Sequence, residues 1–232
     1  MKSAYACNVV IDLEFTPVPK GQRKGGLRCE IIEVGAVKLT PDGEVAGEFS
    51  HMVKPTIAHG VSSKVQRMTG IGDEDLTCAR PLGEVLQALA AWIGPGKARM
   101  VTWSDSDLDQ ITRECAVKGI DIALPKRWLD IQKLYPRLTG MANRRRRIAL
   151  GDAADWCGIA NEKAYAHRAL YDAQMTAELF CMMAAGEFAE HQKRVAAELE
   201  RPREDAVCTA SIADRCGGLA DLLASMRAAE AA

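Results

Sequence analysis

Two carboxylates stand two residues apart, Asp12 and Glu14, where the apolar, β-branched segment 4–13 runs into Asp12-Leu13-Glu14. Alternate residues of a strand share a face, so these acids lie side by side. Such a pair repels at the end of a buried strand unless cations sit between the groups, and hard oxygen ligands suit Mg²⁺ or Mn²⁺. The competing reading leaves both acids in solvent at a strand terminus. A second acidic group, Asp105, Asp107 and Asp109, falls where an apolar strand ending at Trp103 turns into a helix. Open α/β sheets build sites at such strand ends, although serines and acids there also cap helices and favour the helix dipole. The third cluster is His167-Arg168-Ala169-Leu170-Tyr171-Asp172-Ala173. Five residues turn about 140° around a helix, so His167 and Asp172 cannot share a helical face. His167 is therefore expected on a turn before the helix, with Asp172 early within it.

Acids on a first strand, at a later strand-to-helix turn and on a late helix, joined by one histidine, suit phosphodiester hydrolysis with two divalent ions. That chemistry needs ligands for ions ~3.5–4 Å apart, one activating water and the other stabilising the leaving 3′ oxygen. A base that titrates near neutrality helps to remove the water proton.

The elements that must position these groups follow from pattern. Residues 30–39 and 44–53 read as strands joined by the turn Pro41-Asp42-Gly43, and with the first strand they make an antiparallel meander. A basic, glycine-rich turn at 23–26 precedes the second strand. Short helical pieces begin at Ser62, and Leu82, Val85, Leu86 and Leu89 give helical spacing over 81–93, stopped by Gly94-Pro95-Gly96. A strand at 98–103 leads into a helix over 107–118, the order of a parallel crossover unit. A short strand at 126–131, a helix ending near Pro136, and helices over 148–157 and 168–185 complete a βββαβαβααα order. The fold expected is α/β, a mixed sheet with strands 1–3 antiparallel and the later ones parallel, flanked by helices. Residues 1–186 form the main domain and 187–232 a helical C-terminal extension, in which Leu219, Leu222, Leu223 and Met226 make an apolar stripe.

With 48% hydrophobic residues among 232, the chain can bury a substantial core. A formal charge of −1 provides no global field toward nucleic acid or anionic membrane, so a polyanion must be held locally. The arginines at 144–147 are the one dense basic run, fit either to grip phosphates or to start a solvated helix. Eight scattered cysteines without a CxxC pair, Cys208 and Cys216 in the tail included, read as reduced and mainly buried rather than as a structural zinc site, and point to a cytoplasmic protein. No apolar window is long enough for a membrane span.

The three clusters resemble the motifs of the DEDDh 3′–5′ exonucleases of the ribonuclease H-like superfamily. The first motif is Asp12-Leu13-Glu14-Phe15-Thr16, the second covers 103–111, and the third runs from His167 to Ala173. Residues 30–37, Val53-Lys54-Pro55 and Met68-Thr69-Gly70-Ile71 match the family's strand and loop signatures in the expected order. Within the family the chain looks closest to the branch of histone-mRNA and small-RNA exonucleases and bacterial sporulation-inhibitor relatives. The resemblance implies a ribonuclease H-like fold and two Mg²⁺ or Mn²⁺ ions. Asp12 would bridge both ions, Glu14 and Asp172 would complete the site of the nucleophile's metal, and Asp107 would support the second. His167 would be the general base. Asp105 and Asp109 compete with Asp107, which is preferred because Ile111, four residues on, fits the apolar position after the family's acid.

The substrate implied is the 3′ end of a single-stranded nucleic acid, RNA favoured over DNA, trimmed to nucleoside 5′-monophosphates by a monomer or homodimer. Phe15, Thr16, Met68 and Trp103 are candidates for contact with it, against core packing for Phe15, Met68 and Trp103. The alternatives are a DNA 3′–5′ exonuclease of proofreading type and a non-catalytic nucleic-acid-binding protein.

Overall fold

Along 9–14, Val9, Ile11 and Leu13 alternate with Val10, Asp12 and Glu14, so the first strand offers one uniformly apolar face and one that turns acidic. The structure, a computed structural model, describes residues 4–139, 147–162, 167–186 and 197. Two compact units divide the chain, Met1–Val195 and Ala196–Ala232, and all described residues except Ala197 fall in the first. The arginines 144–146, Cys208, Cys216 and, apart from Ala197, the expected helical extension lie outside the described residues.

Three long strands, β1 (Cys7–Pro17), β2 (Cys29–Leu39) and β3 (Val45–Lys54), pair antiparallel in sequence order. Helix α1 (Ser63–Thr69) starts at Ser62, whose Oγ accepts the Val65 N–H at 3.3 Å, and ends on Gly70 in the left-handed conformation. The two-residue strand β4 (Arg80–Pro81) then pairs parallel with β3 and leads directly into α2 (Leu82–Ile93). Strand β5 (Ala98–Thr102) runs parallel to β1, followed by α3 (Ser106–Lys118), β6 (Trp128–Asp130) beside β5, and α4 (Ile131–Leu138). Helices α5 (Leu150–Cys157) and α6 (Ala169–Ala185) complete the set. The sheet order is β4-β3-β2-β1-β5-β6, the mixed sheet expected from the sequence.

Three local features differ from expectation. The first strand continues past the acids to Pro17 because β2 spends an extra residue, Ile32, between the partners of Glu14 and Phe15, and pairing resumes beyond this bulge. The acids thus lie within the strand. Strand β4 is too short to leave a periodic signal. Helix α4 runs two residues beyond Pro136.

One side of the sheet carries Val9, Ile11, Leu13, Val34, Ala36 and Phe49, packed with Val85, Leu86 and Leu89 of α2 in one buried cluster. Helix α6 lies against β1 and β2. Of the six described cysteines, all free, Cys157 is buried, Cys78 exposed and the others half-buried, so the group is less buried than expected. No helix among the described residues is long and apolar enough to cross a membrane.

Candidate active site

The register of β1 on β2 sets the frame of the site. Asp12 pairs with Gly35 and Glu14 with Glu33. Gly35 is where α6 arrives: a Cβ on it would lie 2.1 Å from the Leu170 nitrogen and 2.2 Å from the Ala169 carbonyl carbon. Only a residue without a side chain permits this approach. It brings the start of α6, and with it Asp172 and His167, to the acidic face of β1.

The N-terminus of α6 takes its cap from the sheet. Arg168 occupies the cap position and its own side chain caps nothing. Instead the buried Glu33 carboxylate accepts the Ala169 N–H at 3.0 Å and the Arg168 guanidinium at 2.9 to 3.3 Å. A carboxylate there satisfies an orphan donor and favours the positive end of the helix dipole. Just before this clamp His167 has φ 64°, the one left-handed non-glycine residue among those described. A β-carbon makes that conformation costly, and it persists where surrounding structure imposes it.

On this frame Glu14, His167 and Asp172 each place a potential ligand atom within 4.8 Å of the others. Asp12 stands two residues before Glu14 on the same face of β1 and feels the charge of these acids. Burial raises its pKa well above the carboxylate range, and repulsion from Asp107, Asp172, Glu14 and Glu33 raises it further. Burial first, then Asp172, Glu33 and Asp107, pushes Glu14 up to about 8, opposed by Arg168. Asp172 is pushed to about 6 by burial, against the lowering effect of His167. Its Oδ1 is buried with no hydrogen-bond partner among the described residues. A buried carboxylate oxygen in that state is costly without a cation or donor. The three carboxylates of Asp12, Glu14 and Asp172 offer oxygen donors of the kind a hard divalent ion takes, with the His167 imidazole beside them.

The second acidic group sorts itself by burial. Asp107, the second residue of α3, is 4% exposed, and burial pushes it to about 7. Asp105 instead binds Lys133 at 2.5 Å and Arg147 at 3.4 Å, and Lys133 above all holds its carboxyl below the usual range, against the opposing effect of burial. Asp109 is exposed. Asp107 alone of the three adds its charge to that felt by Asp12 and Glu14.

Thr16 and Trp103, both expected as candidates for substrate contact, have other partners. Thr16 is fully buried, donating to the Gly60 carbonyl at 3.1 Å and accepting the Ser62 N–H at 3.2 Å, which ties the approach to α1 onto β1. Trp103 is buried against Tyr135 and donates its indole N–H to the Ile148 carbonyl. Of the two roles the sequence leaves open for it, packing matches this geometry. Phe15 is half-buried against the main core, and Met68 is 43% exposed on α1. The residues that sequence reasoning passed over are Glu33 and Gly35, read only as part of a strand.

The Exonuclease family model matches residues 9–180. ERI1 exoribonuclease 2 of Danio rerio is 30% identical over 158 residues, 58% of this chain and 28% of that protein. DNA polymerase III PolC-type of Thermotoga petrophila is 29% identical over 154 residues, 65% of this chain and 10% of that protein. The chain therefore spans less than a third of either relative. The nuclease domain of 3′hExo, a DEDDh family member solved with rAMP, superposes with a TM-score of 0.67 at 22% identity, over 80% of this chain and 96% of that one. That likeness establishes the shared ribonuclease H-like fold. With its family model running from β1 into α6, and so across all three acidic clusters, the chain belongs to the exonuclease family.

Proposed function

We propose that this chain is a metal-dependent 3′–5′ exonuclease that trims single-stranded nucleic acid, RNA in preference to DNA, and releases nucleoside 5′-monophosphates. The observation that carries the reading is the convergence of Asp12, Glu14, Asp107 and Asp172 beside His167, with one Asp172 oxygen buried and unpartnered among the described residues. Asp12, Glu14, Asp107 and Asp172 would hold two Mg²⁺ or Mn²⁺ ions. When bound, such ions activate water and stabilise the leaving 3′ oxygen. The chain's own contribution is to gather the charges on a rigid sheet and to present His167, at the edge of the cluster, as acceptor of the water proton. The new bond joins water oxygen to phosphorus, and the bond broken is that to the 3′ oxygen of the preceding nucleotide. Phe15 and exposed Met68 are the side chains proposed to meet the terminal nucleotide.

Similarity to an exoribonuclease supports the RNA preference, and similarity to a PolC-type DNA polymerase supports DNA as the second reading. Labelled RNA and DNA single strands, digested side by side with Mg²⁺ or Mn²⁺, test both. Mononucleotide release by the wild type and its loss in Asp12→Ala are expected. Equal activity in the two proteins, or none in either, refutes the assignment, and degradation of DNA alone refutes the RNA preference.

A further inference from the structure

The loop between β1 and β2 is the most concentrated basic surface among the described residues that the catalytic reading leaves unused. Over 18–28 it carries Lys20, Arg23, Lys24 and Arg28, all exposed, and no acidic residue. None of the four forms an ion pair with a carboxylate among the described residues.

The loop is built, and its shape follows from its sequence. Val18 and Leu27 are buried and anchor its two ends, and the Val18 N–H donates to the Arg28 carbonyl at 2.8 Å, closing it. A single 3₁₀ turn spans Lys20–Gln22, the Leu27 N–H donates to the Lys24 carbonyl, and the Arg23 Nε–H donates to the Val18 carbonyl at 3.2 Å. At its tip Gly25, with φ 54°, sits so close to α3 that a Cβ would lie 2.7 Å from Val117 Cγ2. At its base Gln110 of α3 donates to the Cys29 carbonyl at 2.8 Å. Arg113 projects from α3 between Gln110 and Val117 and is exposed, so it adds a fifth cation beside the loop. The fold thus concentrates charges that are spaced along the sequence.

The loop leaves β1 at Pro17, three residues and so about 10 Å past Glu14, and its first cation, Lys20, is six residues past Glu14, while Arg113 stands six residues, or about 9 Å, along α3 from Asp107. The cluster itself is strongly acidic and the chain carries a formal net charge of −1, so neither attracts a polyanion. A cationic ridge beyond the end of that strand supplies that attraction where a nucleic acid of more than a few nucleotides reaches it. Resting on the exonuclease reading, we propose that the loop 18–28 with Arg113 is a phosphate-binding ridge. It holds the backbone of the strand whose 3′ end lies among the carboxylates. Contacts of this kind fix position without reading sequence.

The test compares the full chain with the variant K20Q/K24Q/R28Q/R113Q. Arg23 is kept because its side chain holds the Val18 carbonyl and so supports the loop. Binding of a fluorescent single strand, followed by anisotropy in an Asp12→Ala background over a salt series, is expected to weaken about tenfold or more. The slope of log affinity against log salt should shrink by about 2 to 3, near 0.7 for each phosphate that is no longer neutralised. In the active background, kcat/KM for a long strand should fall about tenfold relative to that for the nitrophenyl ester of a nucleoside 5′-monophosphate, which is too short to reach the ridge. An unchanged salt slope, a parent protein that does not bind the strand, or equal losses on long and short substrates would each overturn the ridge. A parent that binds through the ridge but hydrolyses neither substrate would sink the exonuclease reading alone.

Discussion

Glu33 on β2 and Arg168 at the start of α6 are joined through both carboxylate oxygens, and the same carboxylate accepts the Ala169 N–H. The pair spans 135 residues of sequence and lies immediately after the strained His167. Glu33 therefore acts as a positioning residue: it fixes the turn from which the imidazole reaches the cluster. Glu33→Ala is expected to lower kcat by about ten- to a hundredfold, the size of effect that follows a misplacement of about 1 Å. KM for oligonucleotides should change little, and Glu33→Gln, which keeps an acceptor for Ala169, should lose less. A raised KM with unchanged kcat, in steady-state kinetics, would count against this role.

Gly35 allows the other half of the same contact. Adding a methyl group would place it 2.1 Å from the Leu170 nitrogen, and backbone cannot yield as a flexible side chain does. Gly35→Ala should cost about 1–3 kcal/mol, the usual range for overpacking, and should lower activity as well, because Asp172 and His167 travel with α6. Thermal denaturation and mononucleotide release report the two effects. A fully active variant of wild-type stability would mean that α6 is free to shift.

The choice among three neighbouring aspartates is open to direct test. Asp107→Asn is expected to abolish activity, whereas Asp105→Asn and Asp109→Asn should retain most of it. Asp105 is engaged in exposed ion pairs with Lys133 and Arg147, which contribute little to stability. Assays of the three variants at saturating metal would settle it, and the assignment fails if Asp107→Asn remains active.

How much of this was legible in the sequence depended on distance along the chain. Asp12 and Glu14 were readable because strand periodicity is local, and so was the separation of His167 from the face of α6. The meaning of Gly35 and Glu33 was not, since both depend on the partner that the β1–β2 register and the docking of α6 deliver. The bulge at Ile32 hid the true end of β1 for the same reason. Trp103 and Thr16 lie in the second and first motifs, yet they spend their polar groups on distant backbone, Ile148 in one case and Gly60 with Ser62 in the other. Only tertiary contact distinguishes such framing residues from ligands.

The clustered carboxylates tie stability to pH and metal. Their folded pKa values are raised, with Glu14 at about 8, Asp107 at about 7 and Asp172 at about 6. An unfolded chain ionises these groups near 4, so between about 4 and 8 the unfolded state binds fewer protons than the folded one. Stability is then fully present below the unfolded pKa and is lost as pH rises through the folded values. Metal-free protein should melt about 5 °C or more lower at about pH 8 than at about pH 5. Mg²⁺ or Mn²⁺ should raise the melting temperature more at the higher pH, where the ligands need less deprotonation. Calorimetry with and without chelator checks this, and a metal-free protein that is more stable at pH 8 would contradict it.

The last prediction separates the chemistry of His167 from its backbone. Its φ of 64° is one that glycine adopts freely and alanine does not. If His167 accepts the water proton, His167→Ala and His167→Gly should both lose about 10² to 10⁴ in rate, and added imidazole should restore part of it in the glycine variant. If the residue serves only to shape the turn, His167→Gly should stay close to wild-type activity while His167→Ala falls. Because its ring also lies within 4.8 Å of ligand atoms on Glu14 and Asp172, the rise in melting temperature with Mn²⁺ must be followed in both variants. Retention of that rise alongside the lost rate places His167 in proton transfer. Its disappearance would make the imidazole a metal ligand and remove it from the role of base.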